Sequence, residues 1–249
     1  MKVSIITACY QSEATIQKAI DSVACQTWPS IEHIIIDGAS RDATVAIVER
    51  NLSRIAYFVS EPDKGVYQAM NKGLKLATGD VIAFLNSDDV YSSPLVIESI
   101  ARTMEKEGLD ALYGNVEFFH ADNPDKVVRT YNSGRFNPSR IGWGWMPAHP
   151  ALFIRRDVYQ RFGNFKEDYK IAGDYEFIAR IFKSGELKSR HFDNVLVRMQ
   201  TGGLSTAGLA ATYQLNKEIL RACRQNGIST NWLKILSKYF FKLGELLHV

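Results

Sequence analysis

The chain has 249 residues, of which 46% are hydrophobic and 23% are charged, a composition that excludes collagen-like and low-complexity architectures and is typical of soluble globular proteins. Thirty basic and 27 acidic side chains give a net charge of +3, which is too small for a protein dedicated to binding nucleic acid. The three cysteines, Cys9, Cys25 and Cys223, form no C-x-x-C pair, so the sequence predicts neither a disulfide framework nor a thiolate zinc site and favours a reducing, cytoplasmic setting.

The first 85 residues alternate between apolar strand-like segments and amphipathic helix-like segments. Val3 to Ala8 is an apolar run too short for a signal peptide or a spanning helix, and it predicts a buried strand. Further strands are predicted at 34–37, 55–60 and 81–85, and helices at 13–24, 43–51 and 66–77. The first helix has its apolar residues at Ile16, Ala19, Ile20 and Val23. Short apolar strands separated by helices predict a parallel sheet covered on both faces, of the Rossmann-like α/β class.

From residue 111 the pattern changes to strands that extend the first sheet. These strands are predicted at 111–119, 126–131, 151–154 and 195–199. A helix is predicted over 174–183, with an apolar face made of Phe177, Ile178, Ile181 and Phe182. From about residue 206 the chain is predicted to be helical to its end. The sequence therefore divides into a body, residues 1–205, and a C-terminal helical tail, residues 206–249.

Polar residues follow the predicted strands at the edge where such sheets bind their ligands. The strand at 81–85 leads straight into Asn86, Ser87, Asp88 and Asp89. Carboxylate oxygens are preferred ligands of Mg²⁺ and Mn²⁺, but Ser-Asp-Asp is also good capping and turn chemistry, so both interpretations stay open. No G-x-G-x-x-G or P-loop motif is present, which argues against a dinucleotide cofactor and against P-loop phosphate transfer.

Other candidate residues also have two interpretations. Asp37 either hydrogen-bonds a base or ribose or belongs to a plain strand–turn–helix junction, and Lys64 either meets a phosphate or is a solvated loop lysine. Asp174 and Glu176 lie at the start of a predicted helix. Either they are there because the helix dipole favours carboxylates at a helix N-terminus, or one of them acts as a general base.

Three rings in the second half could contact an acceptor. His149 precedes Pro150 in a turn, where a histidine contacts a phosphate or an acceptor or has a structural role. Trp143 and Trp145 either stack on a sugar ring or pack in a core or lid.

Taken together in chain order, these stretches resemble the inverting nucleotide-sugar glycosyltransferases of family 2, which have the GT-A fold. The resemblance is carried by VSIITACY at 3–10, IIDGASRD at 35–42, SEPDKGVYQAMNKG at 60–73, ATGDVIAFLNSDD at 77–89, HPALFIRR at 149–156 and AGDYEF at 172–177. It covers residues 1 to about 205 and is most similar to bacterial members that build capsule, exopolysaccharide or O-antigen units. It implies a mixed, mostly parallel GT-A sheet flanked by helices.

The resemblance implies roles for individual side chains. Asp174 would be the catalytic base, and Asp88, with Asp89 beside it, would hold Mn²⁺ or Mg²⁺. Asn86 occupies the first acidic position of the family's D-x-D signature, so it contributes no charge to the metal. His149, Trp143 and Trp145 would lie near the diphosphate or acceptor. The implied donor-binding residues are Thr7, Tyr10, Glu13, Asp37, Lys64, Asn71, Asn86 and Ser87.

The implied activity is metal-dependent transfer of a sugar from a nucleoside-diphosphate sugar to a hydroxyl of a glycan or lipid-linked acceptor, in bacterial surface polysaccharide synthesis. UDP is the default nucleotide, with GDP and dTDP open. A catalytically inactive sugar-nucleotide or glycan-binding partner of an assembly complex is the second hypothesis. A sugar nucleotidyltransferase is disfavoured, because no glycine-rich phosphate loop follows the first strand.

The small positive charge of the chain is concentrated in its tail. Residues 206–249 carry a net +4, which leaves −1 for the body. Within 231–249, Lys234, Lys238 and Lys242 fall four apart among aromatic and aliphatic residues, a pattern typical of a helix lying on an anionic membrane surface. The sequence therefore predicts a cytoplasmic protein, peripheral on the inner face of the cytoplasmic membrane. The alternative is a helix packed on the catalytic body or on a second subunit of a homo-oligomer.

Overall fold

A computed structural model describes residues 1–202 and 208–246 of the chain, without the side chains of residues 240–246. The strands are β1 (Val3–Cys9), β2 (Ile31–Asp37), β3 (Tyr57–Ser60), β4 (Val81–Phe84), β5 (Val90–Tyr91), β6 (Ala111–His120), β7 (Asn123–Tyr131), β8 (Leu152–Arg155) and β9 (Ser189–Gln200). The helices are α1 (Ile16–Ala24), α2 (Thr44–Glu49), α3 (Val66–Leu76), α4 (Val96–Glu107), α5 (Arg156–Phe162), α6 (Gly173–Lys183), α7 (Leu209–Gln225) and α8 (Trp232–Leu246).

All strands of the described chain belong to one mixed sheet. Its order is β3-β2-β1-β4-β8-β6-β9-β5, and β7 pairs with β6 outside this path. β3, β2, β1 and β4 are mutually parallel, β8 runs antiparallel between β4 and β6, and β9 is parallel to β6. The strands of the second half therefore extend the parallel sheet of the first half, and the predicted α/β class is confirmed.

The sheet has a core on each face because the strands are apolar on both sides. Along β1, the side chain of Ile6 enters the core shared with α3 and α6, whereas Val3 and Ile5 enter the core shared with α1 and α4. This alternation is the period of two expected for a strand buried on both faces. The predicted apolar faces of α1 and α6 are buried as expected.

Three elements were not predicted: β5, α4 and α5. α4 has an apolar pattern at helical spacing and ends at Gly108, whose φ of 62° lies in the left-handed region. The pattern of α4 was therefore present in the sequence, at Val96, Ile97, Ile100, Ala101 and Met104. β9 also begins at Ser189, six residues before the predicted strand.

The predicted C-terminal tail is two helices that pack on the body. Ile219 of α7 and Ile235 of α8 are buried in the core that contains α6. The chain turns between the helices at Gly227, whose φ is 63°. Lys238 is only 5% exposed, which corrects the prediction that the three lysines form one exposed stripe. The side chain of Lys242 and the chain beyond residue 246 lie outside the described residues, as do residues 203–207.

None of the helices in the described parts of the chain is both long enough and apolar enough to cross a membrane.

Candidate active site

The carboxyl ends of the four parallel strands lie side by side. Cys9, Asp37 and Ser60 are neighbours in register at the ends of β1, β2 and β3, and β4 ends at Phe84. The loops that follow these strands therefore share one edge of the sheet, where α/β proteins bind ligands. The predicted donor-binding residues on this edge are Tyr10, Glu13, Asp37, Lys64, Asn86 and Ser87.

Asp37, at the end of β2, is a buried hydrogen-bond acceptor that contacts residues at the ends of β1 and β3. Its Oδ1 accepts the Ser40 hydroxyl at 2.5 Å, and its Oδ2 accepts the Ser40 N–H at 2.9 Å and the Ser60 hydroxyl at 2.7 Å. The Cys9 thiol lies 3.7 Å from Oδ1. Burial, and then the charge of Asp37, raise the pKa of this thiol. Because Asp37 is fully buried, a nucleotide base reaches its carboxylate only if Ser40 moves.

The loops after β1 and β2 are bound to each other by several hydrogen bonds. The donors are the N–H groups of Gln11, Ser12 and Ala43, and the acceptors are the side chains of Ser40, Thr44 and Glu13. Gln11 and Ala39 have φ angles of 51° and 60°, a left-handed conformation that costs roughly 1 kcal/mol for a side chain other than glycine. The paired loops hold these strained residues in place, and Tyr10 is left 62% exposed between them.

The Asn86–Asp89 segment follows β4 and lies at the same edge of the sheet, where it contacts the loop after β1. The Ser87 hydroxyl lies 2.9 Å from that of Ser12, which joins this segment to the loop after β1. The Asn86 amide donates to Asp89 Oδ2 at 2.7 Å. An aspartate at position 86 would place a second carboxylate against Asp89. Asn86 avoids that repulsion and instead donates a hydrogen bond to Asp89.

The residues of this segment fit a divalent cation that shares its coordination with a diphosphate. Asp89 is 1% exposed, and its Oδ1 has no hydrogen-bond partner among the described residues. Burial raises the pKa of both Asp88 and Asp89, and the charge of Asp88 raises that of Asp89 further. No cluster of three ligating side chains occurs in the part of the chain that the structure describes. Two protein carboxylates are enough to bind a divalent cation when phosphate and water oxygens complete its coordination shell. Of the two, half-buried Asp88 is more accessible than buried Asp89.

Asp174 lies half-buried in the first turn of α6. Its Oδ1 accepts the Tyr175 N–H at 2.8 Å, and the Tyr67 hydroxyl oxygen lies 3.2 Å from the same oxygen. The Tyr67 ring packs against Gly173, where a Cβ atom would lie 2.7 Å from the ring, so only glycine fits there. Burial, followed by the charge of Asp174, raises the pKa of Tyr67 above its usual value, so its hydroxyl remains a donor.

Glu176, the second candidate base, is fully buried and already paired. Its carboxylate contacts Lys166 at 2.8 Å and Arg180 at 2.9 Å, and it accepts the Asn226 amide at 3.2 Å. Burial raises the pKa of Glu176, but the hydrogen bonds to these cations and the amide hold it below its usual value. A paired carboxylate with a low pKa is a poor base. The structure therefore favours Asp174 over Glu176 as the base.

The buried His149 ring packs against the end of β4. Its ring stacks on Phe84 at 5.3 Å and meets Phe165 edge-on at 5.7 Å. Burial holds the pKa of His149 below its usual value, against the opposing charge of Asp174. His149 is therefore a neutral imidazole within the electrostatic range of the candidate base.

Three further predicted ligands, Trp143, Trp145 and Lys64, are exposed or half-buried. Trp143 is 40% exposed, with the Lys234 ammonium 5.7 Å from its ring centre, and Trp145 is half-buried. Lys64 is exposed in the loop after β3.

Thr7 and Asn71 have structural partners instead of facing the edge. The fully buried Thr7 hydroxyl lies 3.1 Å from His33 Nε2. The Asn71 amide donates to the Phe165 carbonyl at 2.9 Å and accepts the Phe165 N–H at 3.1 Å. The polar atoms of these two side chains are thus used within the fold, and their contact with a donor stays a prediction.

Two residues of this region were not predicted. Tyr67 lies within a motif that carried the family resemblance, so a signal for it existed. Glu218 of α7 accepts hydrogen bonds from the chain that leads into α6, 46 to 48 residues away in sequence. No local pattern could have indicated that contact.

Comparisons with known proteins agree with this architecture. The family model described as glycosyl transferase family 2 matches residues 4–183. The PGL/p-HBAD biosynthesis glycosyltransferase of Mycobacterium bovis is 31% identical to the chain over 210 residues, covering 81% of this chain and 78% of that protein.

Two solved structures share the fold. The crystal structure of S. aureus TarS 1-349 in complex with UDP-GlcNAc has a TM-score of 0.69 at 20% identity, covering 89% of this chain and 66% of that chain. The mannosyltransferase PcManGT from Pyrobaculum calidifontis, in complex with GDP-Man and Mn²⁺, has a TM-score of 0.63 at 20% identity, covering 88% and 64%. In the crystal structure of S. aureus TarS, the match covers 39% of that chain. The GT-A fold implied by the sequence is thereby confirmed.

Proposed function

The chain belongs to glycosyl transferase family 2, and we propose that it is an inverting enzyme that transfers a sugar from a nucleoside-diphosphate sugar to a hydroxyl group of a glycan or lipid-linked acceptor. The observation that carries the proposal is the placement of Asp174, which is half-buried in the first turn of α6 with the Tyr67 hydroxyl 3.2 Å from its Oδ1. The proposal places this activity in bacterial surface polysaccharide synthesis, and the name of the M. bovis relative, a PGL/p-HBAD biosynthesis glycosyltransferase, supports a role in glycan synthesis.

The proposed reaction is a single displacement. Asp174 accepts the proton of the acceptor hydroxyl as that oxygen bonds to the anomeric carbon. The bond from this carbon to the β-phosphate oxygen breaks on the opposite face, and its electron pair leaves with the nucleoside diphosphate. The transition state has oxocarbenium character, as in glycoside hydrolysis. Such a displacement needs one base and no protein nucleophile, which is consistent with one accessible carboxylate at the start of α6.

The proposal includes a divalent cation, Mn²⁺ or Mg²⁺, held by Asp88 with Asp89 behind it. A cation at that position supplies positive charge to the leaving diphosphate. The unpartnered Asp89 oxygen and the raised pKa values of both carboxylates support this assignment, as does the Mn²⁺ named for PcManGT.

A thermal-shift screen tests the donor part of the proposal. We expect a UDP-sugar with Mn²⁺ to raise the melting temperature by several degrees, because a ligand at about 100 times its Kd adds roughly 2.7 kcal/mol of stability. GDP- and dTDP-sugars are the comparison set, and EDTA removes the cation. The UDP and GDP donors named for the solved neighbours support both nucleotides as candidates. Failure of every sugar nucleotide to shift the melting temperature would contradict the proposal.

A second measurement separates an enzyme from an inactive binding partner. The donor selected by the screen is incubated with the protein, and released nucleoside diphosphate is measured with and without a saccharide acceptor. Binding without any nucleotide release would support the inactive sugar-nucleotide-binding partner instead.

We also infer that the exposed apolar surface of α7 and α8 contacts an anionic lipid surface at the inner face of the cytoplasmic membrane. Leu209 and Leu233 are 89% and 82% exposed, and Leu236 is 43% exposed. The Tyr213 ring stacks on that of Trp232 at 6.1 Å, which extends the patch from α8 to α7. Lys234, which is half-buried and directly follows Leu233, places a positive charge beside these apolar side chains, and that combination binds the headgroup boundary of an anionic bilayer.

Replacing Leu233 and Leu236 by glutamate is expected to lower binding to phosphatidylglycerol vesicles by about tenfold, because two apolar contacts are lost and two like charges are added. The measurement is vesicle co-sedimentation. Deleting α8 would be a poor test, because it would expose the core around buried Ile235. Leu52→Glu, at a half-exposed leucine near α2, is the matched control. Equal sedimentation of the double variant, the control and the unmodified protein would rule out this lipid contact.

A further inference from the structure

One side of α7 is polar and lies against the chain segment that leads into α6. The residues of this side are spaced by three or four positions, which places them on one helix face. They are Gln214, Glu218, Arg221 and Gln225. Arg221 forms a salt bridge with Asp168, and Gln225 accepts the Tyr169 hydroxyl at 2.8 Å. α7 therefore lies along this segment and contacts it through several side chains. We call this stretch of the chain the 166–172 segment.

Glu218 makes the densest of these contacts. Its Oε1 accepts the Lys170 N–H at 2.9 Å, and its Oε2 accepts the Ile171 and Ala172 N–H groups at 2.9 and 2.8 Å. The Gln214 amide donates to Oε1 at 2.7 Å. Glu218 is 3% exposed, and burial by itself raises its pKa, but these four donors hold the pKa below its usual value. The carboxylate is therefore charged, and hydrogen bonds to a charged acceptor are the stronger kind.

The same segment is held from the opposite side by α3. The Tyr67 hydroxyl donates to the Ile171 carbonyl at 2.6 Å and lies 3.2 Å from Asp174 Oδ1. Ile171 is thus fixed through its N–H by Glu218 and through its carbonyl by Tyr67. Ala172, which precedes α6, has no side chain that caps the helix. The Glu218 carboxylate supplies negative charge at this end, where the helix dipole favours it.

We propose that Glu218 is a positioning residue for Asp174. By holding the N–H groups of residues 170–172, it sets the place and direction in which the first turn of α6 presents the Asp174 carboxylate to the acceptor. The inference rests on the proposed function of Asp174 as the base. It also makes α7, which lies beyond the 4–183 range matched by the family model, a part of the catalytic unit.

Glu218→Gln tests the inference with little change in shape. The amide group replaces one acceptor oxygen by a donor, which then faces a backbone N–H. We expect kcat for nucleotide release, with the screened sugar nucleotide and water as acceptor, to fall about 10- to 100-fold, because small misplacement of a catalytic group has effects of this size. The Kd for UDP with Mn²⁺ should stay within about twofold, since the donor edge is unchanged. Lys217→Gln, at the exposed neighbouring position, is the control.

Hydrogen exchange measures the same effect without activity. We expect the peptide that spans residues 166–178 to exchange faster in Glu218→Gln, with the rest of the chain unchanged. Glu218→Asp keeps the charge but is one methylene shorter, and it should give a smaller loss of kcat. It serves as the test variant if Glu218→Gln does not fold.

The double variant Asp174→Asn/Glu218→Gln separates positioning from a general structural role. A residue that acts only through Asp174 should cause no further loss of kcat once Asp174 is replaced. An additive loss, a parallel loss of UDP binding, or unchanged exchange in 166–178 would overturn the inference. Wild-type kcat in Glu218→Gln with an inactive Asp174→Asn would overturn this inference alone. Wild-type kcat in Asp174→Asn would overturn the proposed function, and the inference with it.

Discussion

Asp174→Asn is expected to lower kcat for sugar transfer by about 10²- to 10⁴-fold, the usual contribution of a general base. The asparagine side chain has the same shape, and its carbonyl oxygen can still accept the hydrogen bond from the Tyr175 N–H and lie beside the Tyr67 hydroxyl. It cannot accept the proton of an acceptor hydroxyl. The loss should therefore appear in kcat, while the Kd for UDP with Mn²⁺ stays near that of the unmodified protein. Nucleotide release and calorimetry measure the two quantities.

Asp157→Asn is the control for this prediction, because it removes an exposed carboxylate in the first turn of α5. Its kcat should equal that of the unmodified protein. Glu176 is unsuitable as a control, because its carboxylate is buried between Lys166 and Arg180 and its replacement would leave two cations unpaired. Normal transfer by Asp174→Asn would show that another group takes the acceptor proton.

Asp88→Ala is expected to raise the Kd for UDP in the presence of Mn²⁺ by about 100-fold or more, because loss of even an indirect support of a metal ligand costs 10- to 100-fold in affinity. In EDTA, the variant and the unmodified protein should bind UDP equally weakly, since Asp88 acts only through the cation. Calorimetric titration with UDP, with and without Mn²⁺, gives all four values.

Asp125→Ala, at an exposed position of β7, controls for removal of one negative charge. It should bind UDP and Mn²⁺ as the unmodified protein does. Metal-dependent binding of equal strength in Asp88→Ala would mean that Asp88 does not hold the cation, whatever the result for Asp174.

The elements that the sequence predicted correctly have patterns contained within a few turns or one strand. The apolar run at Val3 predicted β1, and the 3.6-residue spacing from Ile16 to Val23 predicted the buried face of α1. Such patterns are local, because the apolar residues of each helix or strand lie on the face of that element that is buried. The same locality explains why the boundary between α7 and α8 was not predicted, and why packing of the tail on the body was predicted only as the alternative to a membrane surface.

Individual site residues were harder to predict than the edge on which they lie. The sequence correctly indicated that the loops after β1 to β4 share one edge, and it predicted that Thr7 and Asn71 contact the donor, without indicating their partners within the fold. The structure pairs Thr7 with His33 and Asn71 with Phe165. These partners are 26 and 94 residues away, and polar side chains look alike in sequence whether they face a ligand or the fold.

By itself, the sequence determined the α/β class and the family and predicted the edge at which a ligand binds, because apolar periodicity and ordered motifs are properties of short segments. Only the tertiary structure showed that Glu176 is buried between Lys166 and Arg180 while Asp174 is half-buried, since burial and ion pairing depend on α7 and on the segment before α6. It also decided that Lys238 is buried and that Glu218 reaches residues 170–172. The reason in each case is that the free energy of a charge depends on neighbours brought together from distant parts of the chain.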